Sequence, residues 1–212
     1  MGGLSEPLLH FALSLTGKDR PCVALLPTAG GEDDRGVVWM YELLAAHADV
    51  DVVRLFGIPD SPRERIAAAD AVLVPGGNTA NMLAVWRVHG FDRILREAWE
   101  QGVVLSGSSA GMICWFEAGV TDSFGPQLEG MRDGLGFLPG SACPHYDGEA
   151  ERRPVYQRLV SEGFPPGLAA DDCVALHFDG TEIAEVVSLR ANSGAYRVTA
   201  EGEERIEPRL LG

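Results

Sequence analysis

Three times in its first half the chain runs through a short apolar stretch and straight into a glycine-bearing turn. Cys22-Val-Ala-Leu-Leu-Pro27 leads into Thr28-Ala29-Gly30-Gly31, and Ala71-Val-Leu-Val-Pro75 leads into Gly76-Gly77-Asn78-Thr79. The third is Val103-Val104-Leu105-Ser106, which runs into Gly107-Ser108-Ser109-Ala110-Gly111. Apolar runs without polar alternation suit strands covered on both faces. Between them, Val37 to His47, Ala80–Val88 and Phe91–Gln101 have helical character, and Val50 to Leu55 returns to strand. Ser61-Pro62-Arg63-Glu64 reads as a capping box with proline at the first helical position. Such alternation predicts an α/β fold with a doubly wound, mostly parallel sheet. Ligands then sit at the carboxyl ends of the strands, so the loops at 28–31, 76–79 and 107–111 are expected along one rim.

The flanks are less regular. Before residue 20 there is a short amphipathic stretch and nothing that reads as an opening strand. Residues 117–142, rich in glycine and poor in periodicity, read as loop. Glu151–Ser161 reads as a helix carrying Arg152, Arg153 and Arg158. Val174–Phe178, Glu182–Leu189 and Ala195–Thr199 read as short C-terminal antiparallel strands, with Asp179-Gly180 as a hairpin turn. With no repeat, low-complexity tract or linker, one α/β domain over residues 1–212 is the simplest organisation.

Composition narrows the function. At 46% hydrophobic residues and a net charge of −14, the chain lacks the basic face that phosphate neutralisation requires, so no nucleic-acid partner is expected. An anionic substrate would have to be held by local arginines against the overall field. Pro7 to Leu15 is broken by His10 and follows no basic segment, so neither a signal peptide nor a membrane partner is expected. The four cysteines, 22, 114, 143 and 173, are expected as buried free thiols in a cytoplasmic protein.

The strand-turn-helix at 103–114 is the context in which G-x-S-x-G forms a nucleophile elbow. Gly107 and Gly111 flank Ser109, which makes Ser109 the candidate nucleophile; the plain alternative is an ordinary βα turn. A serine needs a base and an acid that orients the base. His10, His47, His89 and His177 lie in or beside regular elements, whereas His145 follows Cys143-Pro144 in a loop and is the candidate base. Two sites compete for the acid: Asp122, between Ser109 and His145, and the pair Asp171-Asp172 ahead of a strand. Ala110 and Gly77 are the candidate oxyanion donors through their backbone N–H groups. Cys143-x-His145-x-Asp147 has the look of metal ligands, but no second cluster with sensible spacing accompanies it. No metal or cofactor is expected.

Pro75-Gly76-Gly77-Asn78-Thr79, Gly107-Ser108-Ser109-Ala110-Gly111 and Pro144-His145-Tyr146 together resemble the aspartyl dipeptidase (peptidase E) and cyanophycinase family of serine peptidases, over about residues 21 to 190. The resemblance implies a fold related to class I glutamine amidotransferases, with serine at the elbow where those relatives carry cysteine. It implies Ser109 as nucleophile, His145 as base, and Gly77 and Ala110 as oxyanion donors. Asn78 and Thr79 are the implied substrate contacts. The family's third member is a carboxylate, usually glutamate, before a strand; Asp172 falls there, with Asp171 one register away and Asp122 in reserve. Aspartyl dipeptidases grip the substrate's N-terminal aspartate with an arginine after the histidine loop, a place that Arg153 fits, with Arg152 as alternate. The expected activity is hydrolysis of short peptides, in particular dipeptides with aspartate first. An isoaspartyl or cyanophycin-type exopeptidase and an inactive binding protein on the same fold are the competing readings. A homodimer would be ordinary for a chain of this size.

Overall fold

The computed structural model of the protein describes residues 5–211. The described residues form two compact units: Leu9–Gly111, and residues 112–211 together with residues 5–8. In chain order the first half contains α1 (Glu6–Ser14), β1 (Cys22–Leu25), α2 (Asp34–Ala45), β2 (Asp49–Val52), α3 (Pro62–Ala67), β3 (Ala71–Val74), α4 (Thr79–Val88), α5 (Phe91–Glu100) and β4 (Val104–Gly107).

In the unit formed by Leu9–Gly111 the four strands make an all-parallel sheet in the order β2-β1-β3-β4. All four residues of β3, Ala-Val-Leu-Val, are buried. Each fully buried aliphatic side chain of this kind contributes roughly 1.5–3 kcal/mol, which is why a central parallel strand carries no polar alternation. The edge strand differs. β2 reads Asp-Val-Asp-Val, and its aspartates pair with arginines, Asp49 with Arg20 and Asp51 with Arg65. Charges on an exposed edge discourage pairing with another chain. Helix α5 buries Phe91, Ile94, Leu95 and Ala98, one stripe at the i, i+3, i+4, i+7 spacing. The strand order reverses between β1 and β3, so the turn at Pro27–Gly31 and the turn at Gly76–Asn78 leave neighbouring strand ends at the switch point.

Helix α3 forms where expected, but the capping box does not. Ser61 sits in the left-handed region (φ 45°) and makes no cap bond; its hydroxyl donates instead to Asp60 Oδ1 at 3.2 Å. Proline at the first helical position suffices to start the helix.

A short helix, α6 (Ala110–Ile113), continues from the turn after β4. The second unit contains β5 (Phe116–Thr121), β6 (Glu129–Met131), β7 (Leu138–Cys143), α7 (Arg152–Ser161), β8 (Gly167–Ala170), β9 (Val174–Asp179), β10 (Glu182–Ser188), β11 (Ala195–Thr199), β12 (Gly202–Ile206) and β13 (Arg209–Leu210). One sheet has the order β12-β11-β8-β7-β5-β6, parallel among β5, β7 and β8 and antiparallel at both flanks; a second has the order β13-β10-β9. The overall class is therefore α/β with a mostly parallel framework and antiparallel C-terminal strands.

Residues 117–142 are not the expected loop, since they supply parts of β5 and β7 and all of β6. Their glycines serve close packing: a Cβ on Gly119 would meet Ala142 O at 3.0 Å, and one on Gly134 would overlap the Phe116 carbonyl. The cysteines also depart from expectation, because Cys114 and Cys143 are buried whereas Cys22 and Cys173 are only partly so. Among the described residues, no helix is long and apolar enough to cross a membrane.

Candidate active site

Strand β4 delivers Ser109 on a tight turn. Ser108 N–H donates to Val74 O at 3.1 Å, tying the turn to the end of β3. The two flanking glycines are required by space. A Cβ on Gly107 would stand 2.6 Å from both Gly111 O and Val74 O, and one on Gly111 would stand 2.8 Å from the Val74 carbonyl carbon. Ser109 itself has φ 56°, in the left-handed region, as a sharp strand-to-helix turn requires. Of the two turns at the switch point, that at Gly76–Asn78 reaches it directly: a Cβ on Gly76 would lie 3.1 Å from Ser109 Cβ and 3.6 Å from its Oγ.

Gly77 adopts φ 147°, and any side chain there would overlap the Ala29 carbonyl and lie 2.7 Å from Gly30 N. Asn78 N–H donates to Ala29 O at 2.8 Å, so the turns after β1 and β3 are stitched together. Asn78 Oδ1 caps α4 by accepting from Asn81 N at 2.9 Å, and Thr79 is buried in the first turn of that helix. Trp86 Nε1 reaches back from α4 to Thr28 Oγ1 at 3.1 Å. Sequence reasoning had no signal for this buried tie. Ala110, directly after Ser109, is also buried.

The imidazole and the carboxylate come together in the other unit. His145 Nδ1 lies 2.7 Å from Asp172 Oδ1, with the two side chains 15% and 16% exposed. An ionised carboxylate only accepts, so Nδ1 carries the proton and Nε2 is left as the basic nitrogen. Both residues sit on sharply turned backbone, His145 at φ 57° and Cys173, next to Asp172, at φ 68°.

The other two carboxylates are elsewhere. Asp171 Oδ2 accepts from Gly194 N (2.9 Å) and Tyr196 O–H (3.3 Å), its Oδ1 is buried without a partner among the described residues, and burial raises its carboxyl above the ordinary range. Asp122 is exposed in a turn.

The two arginines have separate surroundings. Arg152, 3% exposed, donates through Nε to Glu149 (2.7 Å) and through Nη1 to Val120 O (2.9 Å). Arg153 pairs with Glu203 and lies over the Tyr146 and Tyr196 rings, 5.2 and 4.9 Å from their centroids. Glu203 also accepts from Tyr146 O–H at 2.7 Å and Gln157 Nε2 at 2.8 Å; these donors and Arg153 hold its carboxyl low against the desolvation that would raise it. Among the described residues no group of three or more His, Cys, Asp or Glu is arranged to hold a metal ion. In the Cys143-x-His145-x-Asp147 pattern the Cys143 thiol is pushed up to about 12 by burial, which disfavours the ligating thiolate.

Residues 3–186 match the profile of peptidase family S51. The chain is 44% identical over 217 residues to the "Uncharacterized peptidase YgaJ" of Bacillus subtilis (strain 168), covering 97% of this chain and 92% of that one. Among solved structures it is similar in fold to a peptidase from an acI-B1 Actinobacterium, with TM-score 0.71 and 17% identity over 98% of this chain and 92% of that chain. It is also similar in fold to a "Putative Peptidase E Protein" from Listeria monocytogenes EGD-e, with TM-score 0.56 and 16% identity over 96% and 95%.

Proposed function

We propose, from the premise that this chain belongs to peptidase family S51 and is a serine peptidase, that it cleaves dipeptides with an N-terminal aspartate through a Ser109-His145-Asp172 triad. The observation that carries this reading is the 2.7 Å bond between His145 Nδ1 and Asp172 Oδ1. It leaves Nε2 free to take a proton, the arrangement that a general base beside a serine nucleophile requires. Ser109, on its left-handed turn against Gly76, supplies that nucleophile.

Ser109 Oγ attacks the peptide carbonyl as His145 Nε2 takes its proton, and Asp172 stabilises the imidazolium. The oxyanion is received by the N–H groups of Gly77 and Ala110. His145 then protonates the leaving amine, and water releases the aspartyl group from Ser109 by the same steps in reverse roles.

For the substrate's aspartate carboxylate, Arg153 is the candidate, with Arg152 as alternate, because the Arg153 side chain is 44% exposed and that of Arg152 only 4%. The Arg153 guanidinium already carries Glu203. Arg152 donates through Nε to Glu149 and through Nη1 to Val120 O. A guanidinium suits this role because its fork matches a carboxylate.

The test is Ser109→Ala assayed against Asp-Leu, β-Asp-Arg and Ala-Leu, beside wild-type labelling with a fluorophosphonate. The variant is expected to be folded, inactive and unlabelled, and the wild type to prefer Asp-Leu. Substantial hydrolysis by the variant would remove Ser109 from the nucleophile role. Equal rates on Asp-Leu and Ala-Leu would remove the aspartate preference.

A further inference from the structure

We propose that Asp147 and Gly148 are positioning residues that fix the orientation of the Asp172 carboxylate; this rests on the triad reading above. Two loops carry the pair, one holding His145 and the other Asp172, and they are laced together at the backbone. Tyr146 N–H donates to Ala170 O at 3.0 Å, and Asp172 N–H donates to the Asp147 carboxylate at 2.7 Å. The other oxygen of Asp147 faces Arg190 Nη1 at 3.7 Å. Asp147 thus fixes where the Asp172 main chain stands.

Gly148 fixes where the side chain points. A Cβ there would overlap Asp172 Oδ2 and lie 2.9 Å from its Cγ. The bare Cα of Gly148 therefore forms the wall against which the carboxylate rests while its other oxygen holds His145. The backbone at Gly148 does not require glycine, since its φ lies outside the left-handed region. What forbids a methyl group is only the end of a flexible side chain, which can swing aside at little cost to folding. The cost falls on catalysis, because a displaced Asp172 no longer holds Nδ1 of His145.

The test uses the purified full chain, with Asp-Leu turnover and Tm measured in parallel. Gly148→Ala is expected to lower kcat by about 10²-fold, the scale of a 1 Å misplacement, with KM and Tm little changed. In an Asp172→Asn background the same change is expected to add almost nothing, because the two act through one bond. Asp147→Ala is expected to lower kcat as well. Asp147→Asn, which keeps an oxygen to accept from Asp172 N–H, is expected to restore most of that loss. Wild-type kcat in Gly148→Ala, or an equal further loss when it is added to Asp172→Asn, would overturn the proposal. So would equal damage from Ala and Asn at 147, which points to the Arg190 ion pair instead. If Ser109→Ala or Asp172→Asn retains turnover, the triad reading fails and this inference falls with it. If both are inactive and Gly148→Ala is not, the positioning role alone fails.

Discussion

Asp172→Asn isolates the charge of the proposed triad acid from its shape. In the native pair, Oδ1 stands 2.7 Å from Nδ1 and both side chains are largely withdrawn from water. In the proposed mechanism His145 takes the Ser109 proton and becomes an imidazolium beside a carboxylate. With about 4 Å between charge centres and an effective dielectric of about 20, that attraction is roughly 4 kcal/mol. At 1.36 kcal/mol per decade this is about 10³ in rate. The amide has a second effect: its NH₂ can donate to Nδ1, moving the proton to Nε2 and removing the basic nitrogen that the proposed mechanism needs. In a well-studied serine peptidase the same exchange costs about 10⁴ in kcat. The expected loss here is therefore about 10³–10⁴-fold in kcat, with KM nearly unchanged. Fluorophosphonate labelling should slow in parallel, since it needs the same activated serine. Stability should hardly move, because Asp172 N–H keeps its bond to Asp147. A folded Asp172→Asn variant within about tenfold of wild type would refute the charge argument, as 10-fold corresponds to only about 1.4 kcal/mol.

Two further outcomes are expected. Asp171 is a buried carboxyl whose folded-state pKa stands above the unfolded value, so the folded state loses stability as pH rises through the interval between them. Asp171→Asn should therefore raise Tm at pH 7–8, by about 2–4 °C for each kcal/mol gained, and the gain should vanish near pH 4, where the unfolded carboxyl protonates; a lower Tm at pH 8 would contradict this. Gly77→Ala places a methyl group on the Ala29 carbonyl at φ 147°, and strained backbone of this sort costs about 1–3 kcal/mol before the overlap is counted. It should lower Tm measurably and reduce kcat by about 10²-fold or more by displacing the Gly77 N–H from its proposed place at the oxyanion; a variant matching wild type in both would remove Gly77 from that role.

The parallel framework was legible because its central strands, β1 and β3, are buried on both faces. Val-Leu-Val in β3 and Val-Ala-Leu in β1 leave no other reading. The elbow was legible for a similar reason, since Gly107 and Gly111 answer to backbone contacts with Val74 that no larger residue tolerates. Residues 117–142 misled because glycine there marks packing distance rather than a turn, and a single sequence does not separate the two. β8, with only Gly-Leu-Ala-Ala, and β12, Gly-Glu-Glu-Arg-Ile, carry too little apolar pattern to be read as strands. Residue patterns alone left the choice among Asp122, Asp171 and Asp172 open, and only the family resemblance pointed to Asp172. Asp171 and Asp172 are adjacent, yet one faces Gly194 and Tyr196 and the other faces His145. Likewise nothing in Arg152-Arg153 announces that the first is buried against Val120 O while the second stacks on two tyrosines.

The left-handed backbone at Ser109 carries an evolutionary consequence. Glycine is at ease in that conformation, whereas a residue with a Cβ gives up about 1 kcal/mol to stay there. A descendant that exchanged the whole side chain for a hydrogen, leaving glycine, would lose the proposed nucleophile and shed that backbone strain. Backbone strain at this turn therefore does nothing to conserve the hydroxyl, and only continued demand for the proposed reaction keeps it in a lineage.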